Sequence, residues 1–207
     1  MRVVSLEDDN TISLSKDIQY SINGNDWQKL YAGNQITVNR YDIVYFKGTN
    51  TSNSFTVSKE FNVEGNIMSL LYGDNFEGQI DLIGKNNAFY NLFYNCTELK
   101  NAENLILPAT TLSDFCYDSI FVDCTSLTTA PELPATILAE SCYYHMFYGC
   151  TSLNNITMLE TDISVIFCLE SWVNGVASTG TFTKSPSMAS LPSGVHGIPN
   201  GWTVENA

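Results

Sequence analysis

Along the first sixty residues apolar and polar positions alternate. The runs IQYSI (18–22), QITVN (35–39), DIVYFKG (42–48) and SFTVSKEFNV (54–63) place apolar side chains two residues apart, with turn-forming clusters such as NGND between them. A period of two sends successive side chains to opposite faces of a strand, so these runs predict a small antiparallel β unit. Further along the spacing changes. Leu138, Cys142, Met146 and Phe147 fall at i, i+4, i+8 and i+9, and Leu112, Cys116, Ile120 and Phe121 do the same 26 residues earlier. That spacing predicts one face of a short helix. Thr110, Thr136 and Asp162 precede these stretches as N-caps. Asn95, Asp123 and Gly149 follow them, residue types that tolerate the left-handed conformation ending a helix.

The two stretches belong to an internal repeat. FYGCTSL (147–153) has copies at FVDCTSL (121–127) and FYNCTEL (93–99), and LPATTLSDFCYDSIF (107–121) aligns with LPATILAESCYYHMF (133–147). Cys116, Cys142 and Cys168 are 26 residues apart in turn, while Phe93 to Phe121 is 28 because NAENLILP is two residues longer than TTAPELP. Degenerate earlier copies are visible at 86–93 and 66–73. After each predicted helix a short extended segment follows, CTSLTTAPEL or CTSLNNITML. A unit of about 26 residues with one strand and one short helix lies within the leucine-rich-repeat range. The expected fold class is therefore an α/β repeat: a short leucine-rich-repeat-type solenoid of three to four units, with an N-terminal antiparallel β unit and a C-terminal cap. The expected divisions are 1–62 for the β unit, 63–174 for the repeats and 175–207 for the cap, where the period fails and Trp172, Phe182 and Trp202 are spaced to cover the last unit.

Composition removes several function classes. Nine basic against 22 acidic residues give a formal charge of −13, which repels nucleic acid and anionic membrane. No apolar run reaches the length of a membrane span. The start MRVVSLEDDN has no signal-peptide hydrophobic region, so the chain is expected to be cytoplasmic or to have lost an export segment. The six cysteines form two columns, Cys96, Cys124, Cys150 and Cys116, Cys142, Cys168. No CxxC pair exists and His145 and His196 are far apart, which disfavours zinc; a nucleophilic thiol would need a base that nothing singles out. The cysteines read as buried ladder thiols, with disulfides between or within units the alternative, and no metal or other cofactor is expected.

The motif F-x-x-C-T-S-L, together with LPAT and CYYHMF, closely resembles the BspA-like leucine-rich repeats of bacterial surface proteins. GIPNGWTV and the front segment YSINGNDWQKL also resemble pieces that accompany such repeats, so the resemblance covers nearly the whole chain. It implies a secreted or surface-anchored protein, located at the cell surface or outside the cell, that binds host matrix proteins in adhesion. It implies no catalytic residues, because the family shares none.

The expected function is non-enzymatic recognition of a host extracellular or matrix protein. Thr129, Glu132, Asn155 and Thr157 are the candidate outward positions of the strand segments, and Tyr143, Tyr144 and Tyr148, with Tyr117, those of the helix side. Tyrosine offers large contact area at low entropic cost, although packing between units is the competing role. The alternative is a glycan-binding or glycan-processing accessory protein, with Asn154, Asn155 and Tyr148 touching sugar. A glycosidase would need a matched pair of carboxylates, and none stands out among the 22 acids.

Overall fold

The computed structural model describes residues 1–22, 24–51, 53–188 and 191–207. Eight strands fill the first third: β1 (Arg2–Ser5), β2 (Asn10–Leu14), β3 (Ile18–Ser21), β4 (Gln28–Leu30), β5 (Gln35–Val38), β6 (Ile43–Lys47), β7 (Phe55–Val57) and β8 (Phe61–Asn66). One helical turn, α1 (Ser69–Tyr72), follows, and then β9 (Leu99–Asn101), β10 (Leu105–Ile106), β11 (Asn155–Met158), β12 (Thr181–Lys184) and β13 (Thr203–Asn206). The largest sheet has the order β10-β8-β1-β6-β3-β4, with β9 also on β8; β5-β2-β7 and β11-β12-β13 make two smaller sheets. Pairing is antiparallel among β1 to β8 and parallel wherever a strand after β8 joins. Strand β8 crosses residue 62 and carries both β9 and β10, so the front sheet continues directly into the repeats.

The alternating runs account for the front unit. In β1 and β6, Val3, Val44 and Phe46 turn inward and Arg2, Tyr45 and Lys47 outward. Ile12, Leu14, Phe55 and Val57 of the second sheet close on them, and Phe46 meets Phe55 edge to face at 5.1 Å. Strands β1, β2 and β4 were not among the expected runs. The first two are joined by a turn at Leu6–Asp9, where Asp9 has φ 52°.

The α/β solenoid expectation is overturned. The chain is nearly all β, 29% strand and 3% helix, in three small open sheets of mixed pairing. Leu112–Phe121 and Leu138–Phe147 are ribbons of consecutive tight turns, not helices. Phe115, Ser119 and Asp123 have φ of 57°, 56° and 57°, and a left-handed residue at every fourth position cannot occur inside an α-helix. Backbone N–H groups alternate in direction. Those of Cys116, Ile120, Val122 and Cys124 bond back three residues to Ser113, Tyr117, Ser119 and Phe121. Those of Phe115, Tyr117, Ser119, Phe121 and Asp123 donate instead to Glu140, Cys142, Tyr144, Met146 and Tyr148 of the next repeat. The ribbon thus repeats every four residues, and i, i+4, i+8 spacing fits four as well as it fits 3.6. Thr110 and Thr136 consequently cap no helix; the Thr110 hydroxyl donates to the carbonyl of Ile80 at 3.3 Å. Asn95, Asp123 and Gly149 do have positive φ, but as corners of the ribbon.

One cluster of buried apolar side chains runs from Met1 to Trp202. Its axis is a column of rings, Phe55 from the front unit and then one from each repeat: Phe55, Phe93, Phe121 and Phe147 are stacked at centroid distances of 5.3, 5.5 and 5.7 Å. Trp172 and then Phe182 continue the column with tilted and edge-on contacts. The indole N–H of Trp172 donates to Gly197 O and that of Trp202 to Ala177 O, so these large buried rings keep their polar atoms satisfied. Among the described residues no helix is long and apolar enough to cross a membrane.

Candidate functional site

The extended segments of successive repeats pair in register and form one parallel ladder. Asn62 pairs with Asn101, Asn101 with Thr129, Thr129 with Asn155, Asn155 with Thr181, and Thr181 with Thr203. Strand alternation decides which side chains face outward. In β11 and β12, Ile156, Met158 and Phe182 are buried while Asn155, Thr157, Thr181 and Thr183 are half-buried on the other face. In-register parallel pairing places equivalent side chains about 4.8 Å apart, so hydroxyls and amides recur at that interval. Threonine suits this position because its β-branch favours extended backbone while its hydroxyl stays in water. The side chains of Thr129, Asn155, Thr157, Thr181 and Thr183 form no hydrogen bond with other described residues. Their donors and acceptors are free for a ligand.

The expected site residues separate into two groups. Thr129, Asn155 and Thr157 lie together on the ladder face. Exposed Glu132 stands beside it, lining a cleft of about 390 Å³ with Glu103, Ile106, Pro108 and Pro134. Tyr144 and Tyr148 lie instead on the turn ribbon, where the His145 ring sits 3.9 Å from the Tyr144 ring and 5.2 Å from that of Tyr148. Tyr143 is not at the surface: it is 1% exposed and stacks on Tyr117, which stacks on Phe89. Burial pushes both tyrosine hydroxyls well above the usual pKa, as expected of core groups. The three residues assigned to sugar contact also separate, Asn154 and Asn155 by the ladder and Tyr148 on the ribbon. Missed from the sequence were Thr181, Thr183 and Thr203, which extend the ladder beyond the repeat. The alternation in GTFTK and GWTVE marked those segments as strands, but not as continuations of the same row.

The six cysteines are free and buried. Burial holds Cys96 and Cys142 up to about 12 and raises Cys116, Cys124 and Cys150 as well, so their thiols stay protonated and unreactive at neutral pH. Cys124 and Cys150 donate from Sγ to the carbonyls of Phe93 and Phe121, one repeat earlier, at 3.1 and 2.9 Å. They are packing groups that tie neighbouring repeats together. Among the described residues no group of three or more His, Cys, Asp or Glu side chains is placed to hold a metal ion. Comparison of the chain with protein-family models, with curated proteins and with solved structures returns no match.

Proposed function

We propose that this chain is a non-enzymatic bacterial surface recognition protein that binds a host extracellular protein through the outward face of its parallel ladder. The observation that carries the reading is the row Thr129, Asn155, Thr181 with its neighbours Thr157 and Thr183. These polar side chains are held in register by the backbone and form no hydrogen bond with other described residues. A rigid row of unpaired donors and acceptors suits an extended partner, because little side-chain entropy is lost on binding. The resemblance of the CTSL repeats to BspA-like surface proteins supports the same reading and the location at or beyond the cell surface. The acidic surface favours a partner that is not itself strongly acidic.

The test is a binding screen of the purified chain against immobilised extracellular matrix proteins at physiological salt, with an equally acidic unrelated protein as control. Saturable binding is expected, and Thr157→Arg combined with Thr183→Arg is expected to weaken it at least about tenfold by blocking the centre of the row. Absence of saturable binding across the panel, or full binding by the double variant, would remove the proposal.

A further inference from the structure

The front sheet has an outward face of its own. Gln19 of β3 is paired with Lys29 of β4 on one side and Lys47 of β6 on the other, so the three side chains form a row across three strands. Two residues along, Ser21 pairs with Tyr45, and Tyr45 with Arg2 of β1. Asp17 and Thr49 flank the first row, and Trp27 stands beside Lys47. The first row lines an open cleft of about 420 Å³, together with Asp17, Thr49 and Asn50. A smaller hollow of about 120 Å³ adjoins it beneath Trp27 and Tyr45.

Three features of the face point to one ligand chemistry. Charge is balanced locally, although the chain carries −13: Lys29 pairs with Asp17 at 3.0 Å, Lys47 with Asp74 at 2.7 Å and Arg2 with Glu64 at 2.8 Å. An anionic ligand would have to displace one of these carboxylates. Hydrogen-bonding capacity nonetheless remains. The amide of Gln19 and the hydroxyl of Thr49 form no bond with other described residues, and Asn50 uses only its Nδ2, donating to Asp17 O at 3.1 Å. Aromatic surface is present as well, since Trp27 is half-buried and Tyr31 is 56% exposed. Lys47 lies 4.0 Å from the Trp27 ring centroid and Lys29 4.6 Å from that of Tyr31. Neutral balance, mixed donors and acceptors, and rigid rings beside an open cleft are what a polyhydroxylated, uncharged ligand needs.

We infer that the outward face of β4, β3 and β6, centred on Gln19, is a binding site for a neutral oligosaccharide. It uses none of the ladder residues, so it stands or falls independently of the protein-binding face. Trp172 and Trp202 are buried, which leaves Trp27 as the indole whose emission reports on this cleft. The experiment is a fluorescence titration of the whole chain with cellopentaose, mannopentaose and chitopentaose, and with a pentamer of a hexuronic acid for comparison. A saturable change in emission is expected with at least one neutral pentasaccharide. Gln19→Ala and Thr49→Ala, both at exposed positions, are each expected to weaken it about fivefold or more while the far-UV circular dichroism stays unchanged. Three results overturn the inference: no saturable change with any neutral probe up to about 10 mM, binding unaltered in the Gln19→Ala/Thr49→Ala double variant, or binding of the uronic acid pentamer alone.

Discussion

Single residues hold the turn ribbon in shape. Asn95, Asp123, Gly149 and Gly175 occupy the same corner in four successive repeats, all with positive φ. At Gly149 the φ of 75° is joined by a close approach, because a Cβ added there would run into the carboxylate of Asp123 in the repeat before. Gly149→Ala is expected to cost about 1–2 kcal/mol from the left-handed backbone alone. Gly149→Asn is expected to cost less, since asparagine tolerates that conformation and already occupies the corner at Asn95. Urea denaturation of both variants checks the order, and an alanine variant at least as stable as the asparagine one would contradict it. The same scale explains why the motif cysteine is a structural thiol. Its side chain is small and fully buried, and its S–H reaches a carbonyl of the previous repeat.

Among elements, the ribbon is where pattern and structure part. A helix satisfies its N–H groups within itself, whereas the ribbon sends alternate N–H groups to the next repeat. No repeat is therefore complete alone, and the stacked rings and the inter-repeat hydrogen bonds form together. Phe121 has a ring on each side, at 5.5 Å to Phe93 and 5.7 Å to Phe147. Phe121→Ala is expected to destabilise the chain by about 3–5 kcal/mol, read from the urea midpoint at unchanged slope. A loss below about 1 kcal/mol would show that the column contributes little beyond filling space. The apolar positions were legible in the sequence because each ribbon buries Cys116, Ile120 and Phe121 or their equivalents. Periods of 3.6 and 4 differ by less than half a residue per turn, and over ten residues burial alone does not separate them.

For the whole molecule, pH is the simplest probe of so many buried thiols. Burial raises Cys96 and Cys142 to about 12 and Cys168 to about 11, against an ordinary value of 9.0. Above about pH 9 the unfolded chain releases these protons while the folded chain keeps them. The unfolded state then binds fewer protons, so stability is full below about pH 9 and falls as pH rises toward 11 and 12. The slope is up to about 1.4 kcal/mol per pH unit for each such thiol. Tyr117 and Tyr143 are displaced in the same direction and steepen the loss at higher pH. Thermal melts in reducing buffer should show a falling midpoint across this range, and a midpoint flat from about pH 8 to 10.5 would contradict the buried, protonated state of the column.

By itself the sequence determined the period, the register of the repeats, the buried aliphatic, phenylalanine and cysteine positions of the repeats, and the strands of the front unit where apolar and polar residues alternate. Each of these follows from side-chain spacing along the chain. It did not determine the backbone of the repeat, because the same spacing suits a helix and a ribbon of four-residue turns, and only hydrogen bonds to the next repeat choose between them. Nor did it assemble the surfaces. Thr129, Asn155 and Thr181 become neighbours through parallel pairing, and Lys29, Gln19 and Lys47 through antiparallel pairing. Tyr143 and Tyr148, five residues apart, part company because one turns into the ring-filled core and the other away from it. Contacts between distant segments, not local pattern, decide what a ligand meets.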